Sequence, residues 1–463
     1  MTCRPAELTL STALPSEARP HVEAILCAAL RAADPQEALR RSLRSEQGVL
    51  SVQGMDQLWP LRAYHGVYVL ALGKAAFPMA KGLQELLGDF IRQTLVISAS
   101  LTGKLPNAEM LVGDHPIPAE GSLRAGKRLV EFVCGLREDD LLIVLLSGGG
   151  SALATLPPKV KSAPPPSLED LQAFHQALLA CGADIREINT LRRHLDPIKG
   201  GGLLRLCRAS TLTLVLSDVI GNAPEAIASG PTAPDPTTLT DAWEVIERYR
   251  LREVLPLSIL KALEEAEETL KPDDPLFRPQ ADGNLRHVYR IIGDNRLAAH
   301  AALRTARRHG FHASLLTTTL QGEASQAGRF LAAILRQIVE SGEPLPRPAC
   351  LIAAGETTVT LHGKGRGGRN QELALAAATE IAGLPGVALI AMASDGRDGP
   401  TDAAGAIVSG ETLSRAASQG LDARHFLKEQ DSYTFFSTLG DTLHIPIGRT
   451  NVNDLIFLFA FHC

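Results

Sequence analysis

Short apolar runs that end in glycine and a polar residue recur along this chain. Each run is a continuous stretch of mainly valine, isoleucine, leucine and alanine, which is typical of a parallel strand buried on both faces. The runs read VYVLALGKAA (67–76), LLIVLLSGGGSA (141–152), LTLVLSDVIG (212–221), VYRIIGDN (288–295), CLIAAGE (350–356) and ALIAMASDGRDG (388–399). Helix-like segments alternate with them, so the pattern predicts an α/β protein with parallel strands.

The residues that end these runs are the first candidates for chemistry, because ligands of open α/β sheets bind beyond the carboxyl ends of the strands. They are Lys74, Ser147 to Ser151, Asp218, Asp294, Glu356, Asp395 and Asp398. We therefore expect the functional site at these strand ends.

The length of the chain, 463 residues, indicates more than one domain. The clearest linker is the proline-rich, charged segment KPDDPLFRPQADG (271–283). It divides the chain into an N-terminal Rossmann-like α/β domain at 1–270, with a largely parallel sheet, and a C-terminal α/β domain at 284–463. A homodimer is the default expectation for a soluble oligomer.

Composition and charge argue against several classes of protein. The 46 Lys and Arg residues against 51 Asp and Glu give a formal net charge of −5, which argues against a general nucleic-acid-binding protein. No apolar run reaches the length of about 18 residues that predicts a membrane span, and the N-terminus lacks a signal-peptide pattern. The cysteines are scattered without a CxxC pair, so we expect reduced thiols and a cytoplasmic protein.

Two glycine turns in the N-terminal half are candidate anion sites. Lys74 follows the first strand at the start of a helix, where unpaired backbone N–H groups favour an anion. The next strand ends in Ser147, Gly148, Gly149, Gly150 and Ser151, whose backbone can approach a phosphate closely. The alternatives are a solvated surface lysine and a strand–helix turn that needs no ligand.

A basic segment follows at NTLRRH (189–194), with Lys199 before a second glycine triplet. Arg192 or Lys199 could bind a carboxylate or a phosphate, because arginine in particular presents a planar fork of donors. A charged helix face that ends in a glycine cap is the competing interpretation.

Acidic residues at the strand ends, above all Asp218 and Asp395, could hold Mg²⁺ or accept a substrate proton. Aspartate is also an ordinary helix N-cap, which is the structural alternative for each of them taken singly.

The loop GKGRGGRN (363–370) matches the dinucleotide-binding pattern GxGxxG at Gly363, Gly365 and Gly368. The fingerprint also needs an acid about 20 residues further on, and the first one after the next strand, Asp395, lies too far along the chain. The cationic residues of the loop suit a nucleotide triphosphate or a transferring phosphoryl group better. Arg369 would stabilise charge as an arginine finger does.

Several longer motifs together resemble the glycerate 2-kinases, the class II glycerate kinase family whose C-terminal half carries the MOFRL domain. They are LSGGGSALA (146–154), NTLRRHLDPIKGGGL (189–203), LSDVIGNAPEAIASGPT (216–232), GRGGRNQELAL (365–375) and SDGRDGPTDAAGA (394–406). The resemblance extends from Gly73 to the segment at 450–454. One departure is Asp196-Pro197, where the family more often shows a serine-type turn.

The resemblance implies transfer of a phosphoryl group from ATP to the 2-hydroxyl of D-glycerate with Mg²⁺, in two α/β domains with the site in the cleft between them. The family's key lysine and arginine correspond to Lys74 and Arg369. On this hypothesis Asp218 and Asp395 serve as base and metal ligands. The remaining assignments are nucleotide binding by residues 147–151 with Gly365, Gly367 and Gly368, and substrate binding by Arg192, Lys199 and Asn370.

Two other functions compete with this hypothesis. An NAD(P)H-dependent hydroxypyruvate reductase is suggested by the glycines at 363–368, although an evident catalytic set of histidine, acid and arginine is lacking. A non-catalytic sensor of phosphorylated metabolites would keep the glycine loops but would not need Lys74, Arg369 and the acids together.

Overall fold

A computed structural model describes Leu8, residues 13–445 and residues 451–462. Cys3, Thr450 and Cys463 lie outside the described residues. The chain forms two compact units. The N-terminal unit is Ala38–Ile292, and the C-terminal unit combines the described residues up to Glu37 with those from Gly293 onward.

The N-terminal unit contains both strands and helices, as the sequence predicts. Its strands are β1 (Leu43–Glu46), β2 (Val49–Val52), β3 (Leu58–Pro60), β4 (Val67–Leu72), β5 (Ile91–Ser98), β6 (Ala108–Val112), β7 (Leu141–Leu146), β8 (Ser210–Leu216) and β9 (His287–Gly293). The helices up to this point are α1 (Arg19–Ala33), α2 (Pro35–Ser42), α3 (Ala76–Leu87), α4 (Glu120–Cys134), α5 (Gly150–Leu153), α6 (Leu168–Ala180), α7 (Ile185–Leu195), α8 (Gly202–Leu206), α9 (Leu239–Arg248) and α10 (Leu257–Glu264).

The main sheet of the N-terminal unit has the order β6-β5-β4-β7-β8-β9, and β4 to β8 pair in parallel. Side chains of β4 alternate between two cores: Val69 packs with Met79 of α3, and Leu70 packs with Leu129 of α4. Burial on both faces explains why this strand is apolar without alternation. The prediction of a largely parallel sheet is confirmed here.

A separate helical core lies within the same unit. It brings together α6, α7, α9 and α10 through buried leucine, isoleucine and valine residues such as Leu178, Leu191 and Ile246. Because the apolar face of α7 is fixed in this core, its polar face is fixed as well, and that face carries Arg192.

The C-terminal unit is a second α/β unit. Its strands are β10 (His312–Leu320), β11 (Ala349–Gly355), β12 (Val387–Ala393), β13 (Gly405–Ser409), β14 (Thr442–Leu443) and β15 (Asp454–Ala460). Its helices beyond α1 are α11 (Asn295–Arg308), α12 (Ala324–Ser341), α13 (Arg369–Ile381), α14 (Thr412–Ser418), α15 (Ala423–Glu429) and α16 (Ser432–Leu439).

The sheet of this unit is mixed, with the order β10-β11-β15-β12-β13-β14. The runs at 350–356 and 388–399 do form strands, but they are not parallel neighbours, because β15 lies between them and runs antiparallel to both. Asp454, the first residue of β15, consequently pairs with Gly355 on one side and Ala393 on the other. An antiparallel strand thus starts where its two neighbours end.

The predicted boundaries at 270 and 284 are corrected by the structure. Strand β9 lies next to β8 in the N-terminal sheet, and α1 packs its Val22, Ile25 and Leu26 into the core of the C-terminal unit. The segment at 271–283 is a loop with one short turn, Pro275–Phe277. Its proline content therefore indicates a surface loop and not the place where the chain passes from one unit to the other. None of the described helices is long and apolar enough to cross a membrane.

Candidate active site

Two turns at the carboxyl ends of β4 and β7 are locked together. The strands end side by side at Leu72 and Leu146. The Lys74 N–H donates to the Gly148 carbonyl at 2.9 Å, and the Ala75 N–H donates to Ser147 Oγ at 3.0 Å. Gly73, with φ of 127°, touches the Ser147 backbone so closely that a Cβ there would overlap it. The sequence of both turns therefore fixes Lys74 beside the triglycine turn, defined as residues 148–150.

The triglycine turn presents backbone donors and a cation to one place. Within the described part of the chain, no hydrogen bond from the N–H groups of Gly148, Gly149 or Gly150 to a protein acceptor is found. A Cβ built on Gly149 would lie 3.3 Å from Lys74 Cε. Lys74 itself is exposed. Free N–H groups beside a free ammonium make an anion-binding arrangement.

Asp218 lies on the other side of the same turn. It follows β8 and is half-buried, and a Cβ on Gly148 would overlap its carboxylate. Ser151 at the end of the turn forms a hydrogen bond with Ser229, Oγ to Oγ, at 2.7 Å, and Ser229 donates to the Asn189 side chain of α7 at 3.0 Å. These contacts connect the turn to the helix that carries Arg192.

Arg192 is a half-buried cation without an acidic partner among the described residues. Its one hydrogen bond goes to Asn189 Oδ1 at 3.5 Å, and its buried Nε has no acceptor in the described structure. Burial lowers the pKa of the Arg192 guanidinium to about 10. A desolvated cation with free donors is suited to an incoming anion.

The other basic residues of this segment are bound within the protein. Arg193 Nε lies 2.8 Å from Asp235 Oδ1, and both side chains are buried. Lys199 is buried in an ion pair with Asp196, which also accepts a hydrogen bond from Thr155 Oγ1 at 2.6 Å. The Asp196-Pro197 departure thus supplies the counterion of Lys199. Of the two predicted substrate cations, only Arg192 has a guanidinium or ammonium group without a carboxylate.

His115 was missed by the sequence reasoning. Its Cδ2 lies 3.2 Å from the position of a Cβ on Gly149, on the turn that Lys74 also flanks. Burial together with the charges of Lys74 and Arg192 lowers the pKa of His115. The residue follows β6, a short strand of sequence AEMLV that lacks the long apolar run by which the other strand ends were found.

In the C-terminal unit, Arg369 begins α13 and is held by two acids. Its Nε and Nη2 donate to the Asp454 carboxylate at 2.6 and 3.1 Å, and Nη1 lies 2.8 Å from Glu356 Oε1. Burial lowers the pKa of the Arg369 guanidinium, but the carboxylates of Asp454, Glu356 and Asp398 together outweigh it and the pKa is raised overall. Asn453 Nδ2 donates to Glu356 at 2.9 Å. These contacts hold the Arg369 side chain and its two acids in fixed orientations.

The first turn of α13 is capped by Asp398. This carboxylate accepts from the N–H groups of Asn370 at 3.0 Å and Gln371 at 2.8 Å. The Asn370 side chain also donates to Asp398 at 3.2 Å and is buried, so it faces the protein. Asp395 is half-buried, and its carboxylate accepts from the Arg397 N–H at 3.0 Å.

The glycines of the 363–370 loop approach other protein segments closely. A Cβ on Gly365 would overlap Asp431, one on Gly367 would overlap Ser432, and one on Gly368 would overlap Asp398. Residues 357–361 before the loop form no regular strand. Because the N–H groups at the start of α13 already bind Asp398, the geometry does not favour a dinucleotide fingerprint here.

Comparison with known proteins agrees with the motifs. A family model described as a domain of unknown function, DUF4147, matches residues 21–264, and the MOFRL family model matches residues 349–454. A glycerate 2-kinase of Pyrococcus horikoshii is 39% identical over 434 residues, 92% of this chain and 94% of that protein. A D-glycerate 2-kinase of Thermotoga maritima is 39% identical over 416 residues, 89% of this chain and 95% of that protein.

Solved structures agree with the sequence relatives. The crystal structure of a glycerate kinase from Thermotoga maritima matches with a TM-score of 0.82 at 36% identity, covering 96% of this chain and 100% of that chain. Two relatives from Agrobacterium vitis, each 37% identical, carry hydroxypyruvate reductase as a provisional name only. The chain therefore belongs to the glycerate 2-kinase family, the class II glycerate kinases with a MOFRL domain.

Proposed function

We propose that this protein is an ATP-dependent glycerate 2-kinase that transfers a phosphoryl group to the 2-hydroxyl of D-glycerate. The observation that carries the proposal is the triglycine turn, where free backbone N–H groups lie beside the Lys74 side chain. The unpaired Arg192 guanidinium lies on α7, which hydrogen bonds through Ser229 and Asn189 connect to this turn. An anionic substrate and a nucleotide both need such groups, and the names of the relatives supply the identity of the reaction.

Positioning and charge neutralisation do most of the work in phosphoryl transfer. We assign the nucleotide phosphates to the backbone of residues 147–151, with Lys74 neutralising their charge. Arg192 binds the carboxylate of glycerate, because its planar fork matches a carboxylate and no protein acid competes for it among the described residues. Lys199 is not part of this assignment, because Asp196 holds it.

Arg369 is assigned to the charge that develops on the transferring phosphoryl group. Asp454 and Glu356 orient its guanidinium, and its side chain keeps 28% of its surface exposed, so donors remain available to a ligand. Gly365, Gly367 and Gly368 shape the loop before it by close packing, and their nucleotide contact stays a prediction, as does substrate binding by Asn370.

Mg²⁺ fits this site if most of its ligands come from the substrate phosphates and fewer from the protein. Among the described residues, the group of three metal-binding side chains with ligand atoms within 4.8 Å is His65, Asp139 and Asp140, so neither Asp218 nor Asp395 belongs to a protein cage. Mg²⁺ usually takes one or two carboxylates together with phosphates and waters. Asp218 or Asp395 would hold it, and bound Mg²⁺ neutralises charge on phosphate oxygens.

The same two aspartates are the candidates for the proton of the 2-hydroxyl. Asp218 is the better placed of the two relative to the triglycine turn, because its carboxylate touches the Gly148 backbone. The cytoplasmic location and the homodimer expected from the sequence stay predictions.

The test is turnover of the purified protein with D-glycerate, ATP and Mg²⁺, followed by ADP release, with enolase but no phosphoglycerate mutase in the assay. ADP with an immediate enolase signal is the expected result and identifies the 2-phosphate. A signal that needs the mutase would mean transfer to the 3-hydroxyl. Absence of ADP, with NADH consumed on hydroxypyruvate, would overturn the proposal in favour of the reductase.

A further inference from the structure

Two basic side chains, Lys74 and His115, flank the triglycine turn, and the charge of a third, Arg192, acts on the same histidine. Lys74 and His115 flank Gly149, at 3.3 and 3.2 Å from the position of a Cβ on that residue. The charges of Lys74 and Arg192 both act on the His115 ring. Among the described residues, none of the three forms an ion pair with a carboxylate.

The His115 ring is free to meet a ligand. The residue is partly exposed, and no hydrogen bond to either ring nitrogen is found within the described structure. The loop beneath it is fixed, because the Asp114 N–H donates to Ser122 Oγ at 2.9 Å and the Asp114 carboxylate accepts from the Ser122 N–H at 3.1 Å. These contacts fix the loop between β6 and α4, which carries the imidazole.

Basic groups gathered without counterions repel one another, and a bound oxyanion relieves that repulsion. The charges that act on the ring are those of Lys74 and Arg192. The Asp218 carboxylate lies at Gly148 on the other side of the turn, and the neighbouring Asp114 carboxylate is occupied by Ser122. None of the three side chains is therefore ion-paired with a carboxylate in the part of the chain that the structure describes.

We propose that His115 contacts the substrate: its ring N–H donates a hydrogen bond to an oxyanion bound at the triglycine turn beside Lys74 and Arg192. The identity of this oxyanion, a phosphate of ATP or the carboxylate of glycerate, rests on the proposed function. An oxyanion next to the ring also favours the imidazolium, so binding of the anion takes up a proton at His115.

The test measures binding and not only turnover. Inorganic tripolyphosphate and D-glycerate are titrated separately into the full-length protein by calorimetry, and the His115 ring is followed by NMR. We expect His115→Ala to weaken binding of one of the two ligands by about tenfold or more, since the lost hydrogen bond is to a charged group. We also expect the NMR titration of His115 to move to higher pH when that ligand is bound.

Two further variants make the result specific. His115→Gln keeps an N–H donor without a titrating ring, so it should recover part of the affinity but lose the proton uptake. His425→Ala removes an exposed histidine of α15 and should bind both ligands as the wild type does. Unchanged melting temperatures show that the folds are equal, which the exposure of His115 leads us to expect.

The outcomes separate this proposal from the proposed function. If His115→Ala binds tripolyphosphate and D-glycerate like the wild type, the His115 contact is wrong while the kinase assay stands. If the wild type binds tripolyphosphate through His115 but never phosphorylates glycerate, the contact stands and the kinase assignment fails. Loss of tripolyphosphate binding alone identifies the phosphate as the oxyanion, and loss of glycerate binding alone identifies the carboxylate.

Discussion

Asp454 accepts two hydrogen bonds from the guanidinium of Arg369, at 2.6 Å from Nε and 3.1 Å from Nη2. The carboxylate is 2% exposed and the arginine side chain 28%. Burial raises the pKa of Asp454, and the hydrogen bonds from Arg369 lower it in opposition. The pair therefore places a buried acid behind a partly exposed cation, which fixes the direction in which the remaining arginine donors point.

Asp454→Asn should reduce both stability and turnover. The variant keeps one oxygen acceptor but leaves the arginine without its buried counterion, so we expect the free energy of unfolding to fall by about 1–3 kcal/mol. We expect kcat to fall with it, since Arg369 loses its orientation. Urea unfolding and steady-state kinetics measure the two effects.

Glu356→Gln is the matched control for this pair. Glu356 binds the same arginine, but its side chain is 38% exposed, so its loss should cost about 0.2–1 kcal/mol. Equal losses of stability in Asp454→Asn and Glu356→Gln would contradict the ranking by burial.

Substitution of Lys74 should separate activity from stability. Lys74 is exposed and makes no ion pair within the described residues, so Lys74→Ala should keep the melting temperature of the wild type. We expect kcat to fall by about 100-fold or more, as for other charge-stabilising donors. Lys81→Ala, at an exposed position of the same helix α3, is the control and should keep full activity.

Arg369 requires a different substitution. Arg369→Ala would leave Asp454 buried without its partner, so a loss of activity would be mixed with a loss of stability. Arg369→Lys keeps the charge but not the planar fork. We expect this variant to melt at a temperature closer to the wild type than Arg369→Ala does, while kcat still falls. Near-normal kcat in Arg369→Lys would show that the fork is not needed for transfer.

Arg192→Met should stabilise the protein while it damages substrate binding. The guanidinium is half-buried without a carboxylate in the described structure, and its lowered pKa reflects the cost of desolvation. Removing that charge should raise the free energy of unfolding by about 0.5–2 kcal/mol. The KM for glycerate should rise, because its carboxylate loses a partner.

The control for Arg192 is Arg186→Met on the same helix, where the side chain is exposed. It should leave stability and KM nearly unchanged. If Arg192→Met is less stable than the wild type, the guanidinium must have a stabilising partner in the native protein. Its proposed role as an unpaired cation that binds an anion would then lose its physical basis.

Gly148→Ala tests the contact between the triglycine turn and Asp218. A methyl group at residue 148 would overlap the Asp218 carboxylate, so the carboxylate or the turn must move. Displacement of reacting groups by about 1 Å can cost about 100-fold in rate. We expect kcat to fall on that scale, measured with the coupled enolase assay. Gly135→Ala, whose nearest contact would be 3.4 Å from the Glu131 carbonyl, should retain activity.

Six strands of the fold, β4, β7, β8, β9, β11 and β12, were predictable from the sequence, because burial on both faces requires continuous apolar runs. Their order and direction were not, since these depend on pairings between distant segments. The run that forms β15 shows the consequence: it is antiparallel, so Asp454 reaches the shared edge from the start of a strand. Because the acidic candidates were sought only at the carboxyl ends of strands, they did not include Asp454.

Only part of the candidate site could be predicted from the sequence, because local patterns reveal candidate residues but not their partners. Glycine turns and strand-end charges identified Lys74 and Asp218, which the structure brings to one turn. The sequence could not tell which basic residues already have partners: Lys199 and Arg193 are bound by Asp196 and Asp235, and Arg192 is not. Counterions are a property of the packed structure, and one of these two pairs joins residues 42 positions apart, from 193 to 235.

Two buried histidines of the N-terminal unit should make its stability depend on pH. Burial, with the charges of Arg192 and Lys199, lowers the pKa of His175 to about 3. Burial, with the charge of Arg286, lowers the pKa of His287 to about 4. Below pH 6.5 the unfolded chain binds protons at both rings and the native state does not. Stability is therefore present above pH 6.5 and is lost as the pH falls towards 4, by about 1.4 kcal/mol per pH unit for each histidine.

Urea unfolding at pH 7.5, 6 and 5 measures this dependence, and His287→Gln divides it between the two rings. The variant should lose about 1.4 kcal/mol per pH unit less than the wild type between pH 6.5 and 5, because one proton-binding group of the unfolded state is gone. His425→Gln changes an exposed ring and should keep the wild-type slope. If His287→Gln also keeps that slope, His287 must be protonated in the native state, and the Thr211 hydroxyl, 2.8 Å from its Nδ1, would then accept a hydrogen bond from a charged ring.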